Sequence, residues 1–317
     1  MKSDVTINSY SRRKTTGSLD DIVDKEDVTV VVPTLNEALG IGQVIEQIIN
    51  EGYSNILVVD GYSSDETVEV ARRYDVNIIN QHGNGKTGAI KTCIDHVTTP
   101  YFIVIDGDST YDPKDMGRFL PHLKHYNQII GARKKGRANI SRLNRFGNWT
   151  INKFFNLMFG TKFTDVCSGL YALNTTFARE LILDTQGFDV EVEIAAQAAD
   201  YGSVTEVPIT YSKRVGLQKL NPWRDGLKII STIFLLARTY NSVILYSFIS
   251  AFTIIPAVIM LFWVFLETLN GVWHNGVALI GVLLAVLATQ AFTISTLTSQ
   301  QRRLEQRLLR KMRVHSG

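Results

Sequence analysis

Two carboxylates stand one residue apart in Asp106-Gly107-Asp108, directly after the apolar run YFIVI. At the end of a β-strand both can point at one divalent cation, and the intervening glycine lets a phosphate come close to the backbone. Acidic turns are common, so this chemistry depends on where the strand ends. A second cluster, Gly83-Asn84-Gly85-Lys86-Thr87-Gly88, brings a lysine to a glycine-rich turn at a helix start. It is not a P-loop: that motif needs glycine five positions before Gly85, where Asn80 stands, and it follows a first strand, not a third. The turn still suits a diphosphate, because free backbone N–H groups gather at a helix start. A third set is basic: Arg133, Arg142, Arg145, Arg214 and Lys219. Such charges are ordinarily a solvated face, but lying between a metal site and a membrane they suit an anionic lipid headgroup.

The elements that must position these groups alternate. Short β-branched runs at 28–34, 55–61, 76–80 and 101–108 each end in turn or acidic residues. Helical patterns lie between them. Over 41–51 the residues Ile41, Val44, Ile45, Ile48 and Ile49 keep one face apolar, and 64–74 opens on Ser64 as a cap. Strand, helix, strand repeated in this way predicts a parallel sheet with right-handed crossovers, buried on both faces. Ligands of such sheets collect at the carboxyl ends of the strands. Those ends carry 33–37, 60–64 and 106–108, and a further run, NQIIGAR, delivers Arg133 nearby.

Two stretches, 243–266 and 277–298, contain no charged residue. Each is long enough to cross a hydrocarbon core of about 30 Å. The loop between them has no Lys or Arg, whereas Arg302, Arg303, Arg307, Arg310, Lys311 and Arg313 follow the second, which places the bulk of the chain and the tail in the cytoplasm. The expected organisation is a mobile tail at 1–27, a catalytic domain at 28–220, an interfacial amphipathic helix at 221–241, two transmembrane helices at 242–300 and a basic tail at 301–317. The helix at 221–241 would set Trp223, Leu227, Ile230, Ile233 and Phe234 against lipid, or else pack within the globular domain. A formal net charge of +3 is too small and dispersed to indicate nucleic acid, so the tail is assigned to anionic membrane lipids. Cys93 and Cys167 are far apart and outside any CxxC pair, as expected of reduced cytosolic thiols.

The segments VVVPTLNEALGIGQVI, NILVVDGYSSDET, GNGKTGAI, VIDGDSTYDP, IIGAR, LNRFGN, TDVCSGLYAL, GFDVEVEIAAQA and EVPITYSKRVGLQKLNPWRDG resemble, in order, the dolichyl-phosphate mannose and glucose synthases among family 2 glycosyltransferases. The likeness is greatest to archaeal dolichyl-phosphate sugar synthases of N-glycosylation and runs from Val28 to the C-terminus. It implies an α/β GT-A (Rossmann-like) domain, a UDP- or GDP-sugar donor, Mg2+ or Mn2+, and inversion at the anomeric carbon. By the same resemblance Pro33, Glu37 and Asp60 line the nucleotide with Lys86 beside it. Asp106 and Asp108 hold the metal, and Asp106 also faces the donor. Arg133, Arg145, Asn148, Arg214 and Lys219 meet the acceptor phosphate, while Asp165, with Arg133, stands at the reaction centre. The chain departs from the family pattern at Gly61, Thr110 and Gln218, which bear on the identity of sugar and base and not on the reaction type.

The resemblance thus implies transfer of a hexose or N-acetylhexosamine from a nucleotide diphosphate sugar to dolichyl or polyprenyl phosphate at a membrane. Two other readings compete. One is a family 2 transferase extending a polysaccharide or glycolipid, against which stand the small number of spans and the absence of a QxxRW motif. The other is an inactive, membrane-tethered sugar-nucleotide binding protein, against which stand Asp106 and Asp108.

Overall fold

The computed structural model of the chain describes residues 22–184, 189–214 and 222–315. Its first half alternates as expected: β1 (Val28–Thr34), α1 (Ile41–Asn50), β2 (Ile56–Asp60), α2 (Thr67–Ala71), β3 (Asn77–Asn80), α3 (Gly85–His96) and β4 (Tyr101–Val104). Then follow β5 (Gln128–Lys135), α4 (Arg142–Phe159), β6 (Tyr171–Asn174), α5 (Thr175–Glu180), α6 (Val190–Asp200), β7 (Val204–Thr210) and three long helices, α7 (Pro222–Tyr240), α8 (Ser242–Leu269) and α9 (Asn275–His315).

The strands form one sheet in the order β3-β2-β1-β4-β6-β5-β7. Strands β1 to β4 are mutually parallel, with Thr34 opposite Asp60 and Val31 opposite Val104. The sheet as a whole is mixed, which corrects the expectation of a parallel one. Strand β6 fills the slot between β4 and β5 and runs antiparallel to both, with Ala172 opposite Ile103 and Ile129. The alternation rule fails here because the chain after β5, through α4 and the segment that follows it, comes back to the sheet at the end where β5 left, so that β6 runs the other way.

Both faces of the sheet are buried. Ile41, Val44, Ile45 and Ile48 of α1 close one face together with Val30, Val32 and Val58. Ile49, expected on the same stripe, points outward, since eight residues carry it past the buried face. On the other face α3 packs Ile90 and Cys93 against Val31, Val59 and Phe102. A third cluster joins α4, α6 and α7 through Phe155, Val192, Ile229 and Ile233. Helix α2 begins at Thr67, not at Ser64. Ser64 is taken up by Asn36 Oδ1, to which its backbone N–H donates at 2.7 Å, and Asp65 receives the Thr67 N–H at 3.1 Å. The fold also begins earlier than residue 28, because Val23 is buried in the core.

Helices α8 and α9 form an antiparallel hairpin, and both are long and apolar enough to cross a membrane. Their outer surfaces expose residues such as Phe252, Ile259, Phe262, Leu283 and Phe292. Small residues meet between them: Ser247 and Ser295 hydroxyls lie 2.8 Å apart, and Ser250 Oγ donates to the Ala288 carbonyl at 2.9 Å. Ala257, Ala288 and Ala291 are buried in the same seam, the packing that lets apolar helices approach closely without water to drive them together.

Candidate active site

Three loops at the carboxyl ends of β1, β2 and β4 build the floor of the site. Each contains a non-glycine residue in the left-handed region: Asn36 at φ 53°, Tyr62 at φ 64° and Ser109 at φ 61°. Backbone held this way costs on the order of 1–3 kcal/mol per residue and persists only where the surroundings enforce it. Here they do. The Asn36 N–H donates to Ser63 Oγ at 2.9 Å, and Ser109 Oγ donates to the Gly40 carbonyl at 3.1 Å. Gly40 itself is pressed against the acidic turn, since a Cβ there would lie 2.8 Å from the Gly107 carbonyl oxygen.

The floor opens into a cavity of about 580 Å³ lined by Pro33, Glu37, Lys86, Asp106, Asp108, Arg133, Asn148, Glu191 and Arg214. Its acids are bridged by two cations. Lys86 Nζ lies 2.6 Å from both Asp106 Oδ1 and Glu191 Oε1. Arg214 donates from Nη1 to Asp108 Oδ2 at 2.8 Å and from Nη2 to Glu37 Oε1 at 2.6 Å. Burial pushes the Asp108 carboxyl upward, reinforced by Asp106 and opposed by the Thr110 hydroxyl and Arg214. Glu191 is likewise raised by burial, against the pull of Lys86. Burial alone would lower Lys86, but Asp106 and Glu191 hold it well above its ordinary value.

In this cluster four carboxylates touch two cationic side chains. The remaining charge and the hard oxygen donors suit a divalent cation. Among the described residues no group of three or more His, Cys, Asp or Glu side chains converges as a complete metal cage. Asp106 and Asp108 would therefore supply two ligands, with phosphate oxygens and water for the rest. Asp106 is seated by Gly169: a Cβ at that position would lie 2.1 Å from Asp106 Oδ2.

Arg133 is buried beside this cluster and spent on another partner. Its Nε and Nη2 donate to the two oxygens of Asp165, each at 2.6 Å, and its backbone N–H adds a third bond at 3.0 Å. The guanidinium also lies 5.3 Å from the centre of the Tyr211 ring. Beyond these polar groups the cavity continues between α4 and α7, where Ile140, Leu143, Phe146, Leu227 and Ile230 make its wall apolar.

Comparison with known proteins identifies the family. Residues 29–182 match the family model described as glycosyl transferase family 2. Glycosyltransferase AglJ of Haloferax volcanii is 36% identical over 221 residues, covering 68% of this chain and 73% of the relative. The chain belongs to glycosyl transferase family 2. A dolichyl-phosphate hexose transferase of the same organism is 32% identical to this glycosyltransferase over 66% of the chain and 92% of the relative. Among solved structures, glucosyl-3-phosphoglycerate synthase from Mycobacterium tuberculosis, in complex with Mn2+, UDP and glucosyl-3-phosphoglycerate, superposes with a TM-score of 0.54 at 16% identity, over 66% of this chain and 79% of that one. That likeness establishes the GT-A-like fold of the domain.

Of the residues singled out in the sequence, the glycosyltransferase brings Pro33, Glu37, Lys86, Asp106, Asp108, Arg133, Asn148 and Arg214 to one cavity. Others stand apart. Asp60 is buried behind the wall, accepting from Ser63 N–H at 2.9 Å and Ser63 Oγ at 2.6 Å. Asp165 lies behind Arg133, Arg145 is exposed on α4, and neither is part of the lining. Lys219 lies outside the described residues. Helix α7 only partly matches its expected lipid face, since Ile233 is buried in the domain while Leu227 and Phe234 are exposed. Glu191 was missed: an acid in the first turn of a helix reads as favourable dipole chemistry, and nothing local announces that it meets Lys86.

Proposed function

We propose that this glycosyltransferase moves a hexose or N-acetylhexosamine from a UDP- or GDP-linked donor to a polyprenyl phosphate of the dolichyl type, with inversion, at the cytoplasmic face of a membrane. The observation that carries the reading is the two-ended cavity, charged around Asp106 and Asp108 and apolar between α4 and α7, which lead toward α8. A phosphate on an isoprenoid tail has the same two ends. The name of the Haloferax dolichyl-phosphate hexose transferase supports the acceptor class, and the Mn2+ and UDP bound by the mycobacterial synthase support a nucleotide donor and a divalent cation.

In the reaction an acceptor phosphate oxygen attacks the anomeric carbon, the bond from that carbon to the donor diphosphate breaks, and nucleoside diphosphate leaves. The acceptor, a phosphate monoester with a second pKa of about 6, is already largely ionised at neutral pH and needs little general-base help. Charge is the larger obstacle, because two unit anions at 4 Å repel by about 1 kcal/mol even in water and more in a closed site. Mg2+ or Mn2+, held by Asp106 and Asp108, would offset charge on the leaving diphosphate. Arg214, released from its carboxylates, would receive the acceptor phosphate together with Lys219, and Lys86 would neutralise the donor side. Arg133 and Asp165 hold each other; their role in this reading is to fix the floor on which sugar and acceptor phosphate meet, and Asn148 borders the same space.

Helices α8 and α9 anchor the enzyme as a hairpin, and the basic residues beyond Gln301 keep its catalytic domain cytoplasmic. The test is a product analysis: membranes containing the protein are offered labelled UDP- and GDP-sugars with dolichyl phosphate. The expected result is an acid-labile lipid-linked monosaccharide from one donor. A labelled polysaccharide or glycolipid formed independently of added dolichyl phosphate would contradict the reading.

A further inference from the structure

Away from the active-site cavity, a second pocket of about 440 Å³ lies at the far end of α4, with Trp149, Lys153, Asn156, Lys162 and Phe163 among its walls. Its shape is built. Helix α4 ends at Gly160 in the left-handed conformation, φ 66°, and the chain then folds back over the last turns of the helix. Asn156 fixes that fold: its Oδ1 accepts from Thr161 Oγ1 at 2.7 Å and from the Phe163 N–H at 2.8 Å, and its Nδ2 donates to the Phe163 carbonyl at 2.8 Å. Lys162 on the turn and Lys153 on the helix thereby line the same hollow.

Neither lysine has an acidic partner within ion-pair distance among the described residues. Glu206, which reaches the Thr164 side of the pocket, is occupied by the Thr164 N–H and hydroxyl and by the Asp165 N–H, at 2.7, 2.9 and 2.9 Å. Two lysines and the amide and hydroxyl groups of Asn152, Asn156, Thr161 and Thr164 thus share the pocket with the rings of Trp149 and Phe163.

Its position is set by the first apolar span. Asn241 Nδ2, at the junction of α7 and α8, donates to the Met158 carbonyl at 2.9 Å. A Cβ at Gly160 would lie 3.8 Å from Ile244 Cδ1, and Phe163 packs in one cluster with Leu245 and Ile249. The pocket therefore sits level with the start of α8. The outward face of α4 beside it exposes Trp149 and Leu157. Aromatic residues with lysines beside them are what a bilayer interface selects.

We infer that this pocket binds the phosphate of an anionic phospholipid headgroup from the bilayer, at a site separate from the acceptor cavity. The inference rests on α8 being a membrane span; it does not depend on the acceptor or the donor. The ammonium groups of Lys153 and Lys162 would supply charge-assisted contacts to the phosphate, while Trp149 and Leu157 meet the glycerol and upper acyl region. Asn152 and Thr164 join the pocket to the segment bearing Asp165, since the Val166 N–H donates to Asn152 Oδ1 at 2.8 Å.

The experiment uses the full chain in an uncharged detergent, titrated with short-chain phosphatidylglycerol while tryptophan fluorescence is followed. Trp149 is one of four tryptophans, so Trp149→Phe assigns the signal to this pocket. The expected result is a saturable change that is absent in Trp149→Phe and weakened on the order of 10- to 100-fold in Lys153→Gln/Lys162→Gln. Lys153→Arg/Lys162→Arg, which keeps the charge, should retain most of the affinity and separates loss of binding from loss of folding. Equal affinity for short-chain phosphatidylcholine, or unchanged affinity in the glutamine variant, would overturn the site. The same change produced by millimolar inorganic phosphate alone would overturn its assignment to a lipid. Alkaline carbonate extraction of membranes, run in parallel, reports separately on whether α8 and α9 span the bilayer.

Discussion

Arg214 and Asp108, 106 residues apart in sequence, meet through a 2.8 Å hydrogen bond from Nη1 to Oδ2. The same guanidinium reaches Glu37 at 2.6 Å. A cationic side chain thus sits on one of the two carboxylates proposed to hold the metal, so metal and arginine compete for Asp108. On the proposed reading, a divalent cation at Asp108 would displace Arg214 and leave its guanidinium available to the acceptor phosphate.

Replacing Arg214 by Gln should therefore separate two properties. Mn2+ affinity in the absence of substrates is expected to rise several-fold, because a competing cation is gone. Acceptor efficiency is expected to fall on the order of 10- to 100-fold, the loss of one charge-assisted contact worth about 1.5 to 3 kcal/mol. Calorimetry with Mn2+ and acceptor kinetics at saturating donor measure the two. Parallel losses in both would contradict this role.

The Arg133–Asp165 pair calls for a different result. Both side chains are buried and joined by two 2.6 Å bonds, and removing one partner of such a pair leaves an uncompensated charge, at a cost of about 3–5 kcal/mol. Asp165→Asn should lower thermal stability and activity together, and Arg133→Lys, which cannot form the fork, should do the same. Thermal melts alongside turnover check this. An Asp165→Asn enzyme that melts normally but has lost turnover would instead make Asp165 a chemical participant.

Gly169 offers a geometric test of the acidic turn. Its added Cβ would lie 2.1 Å from Asp106 Oδ2 and 2.8 Å from Cγ, so Gly169→Ala must displace that carboxylate. Mn2+ affinity is expected to drop at least roughly tenfold, the effect of moving a metal ligand or its support, with circular dichroism unchanged. Normal Mn2+ binding in Gly169→Ala would show that Asp106 is not a ligand.

What could be read in the sequence was mostly local. β1 and β2 are dense in Val and Ile and α1 carries a clear 3.6 period, so the first half of the sheet and the carboxyl ends bearing Asp60 and Asp106 were legible. β6 was not, because the four residues YALN carry no alternation and its antiparallel direction depends on where α4 returns the chain. Asp106 and Asp108 stood out because both lie in one turn. The partners that decide their electrostatics, Glu191 and Arg214, come from distant segments, and a sequence records their charge but not their pairing. Asp60 shows the converse. It sits at the expected strand end, yet Ser63 folds back to satisfy its carboxylate, a choice made by the turn and not by the strand.

The most direct measurement compares two acceptors on one purified preparation: a polyprenyl phosphate and the same polyprenol without its phosphate, each with the donor sugar nucleotide and Mn2+, in the unmodified enzyme and in Asp108→Asn. Formation of lipid-linked sugar from the phosphate alone, abolished by EDTA and by Asp108→Asn in a protein that melts normally, is the expected result. Equal transfer to the unphosphorylated polyprenol, or full transfer in EDTA, would contradict a metal-dependent transfer to a lipid phosphate.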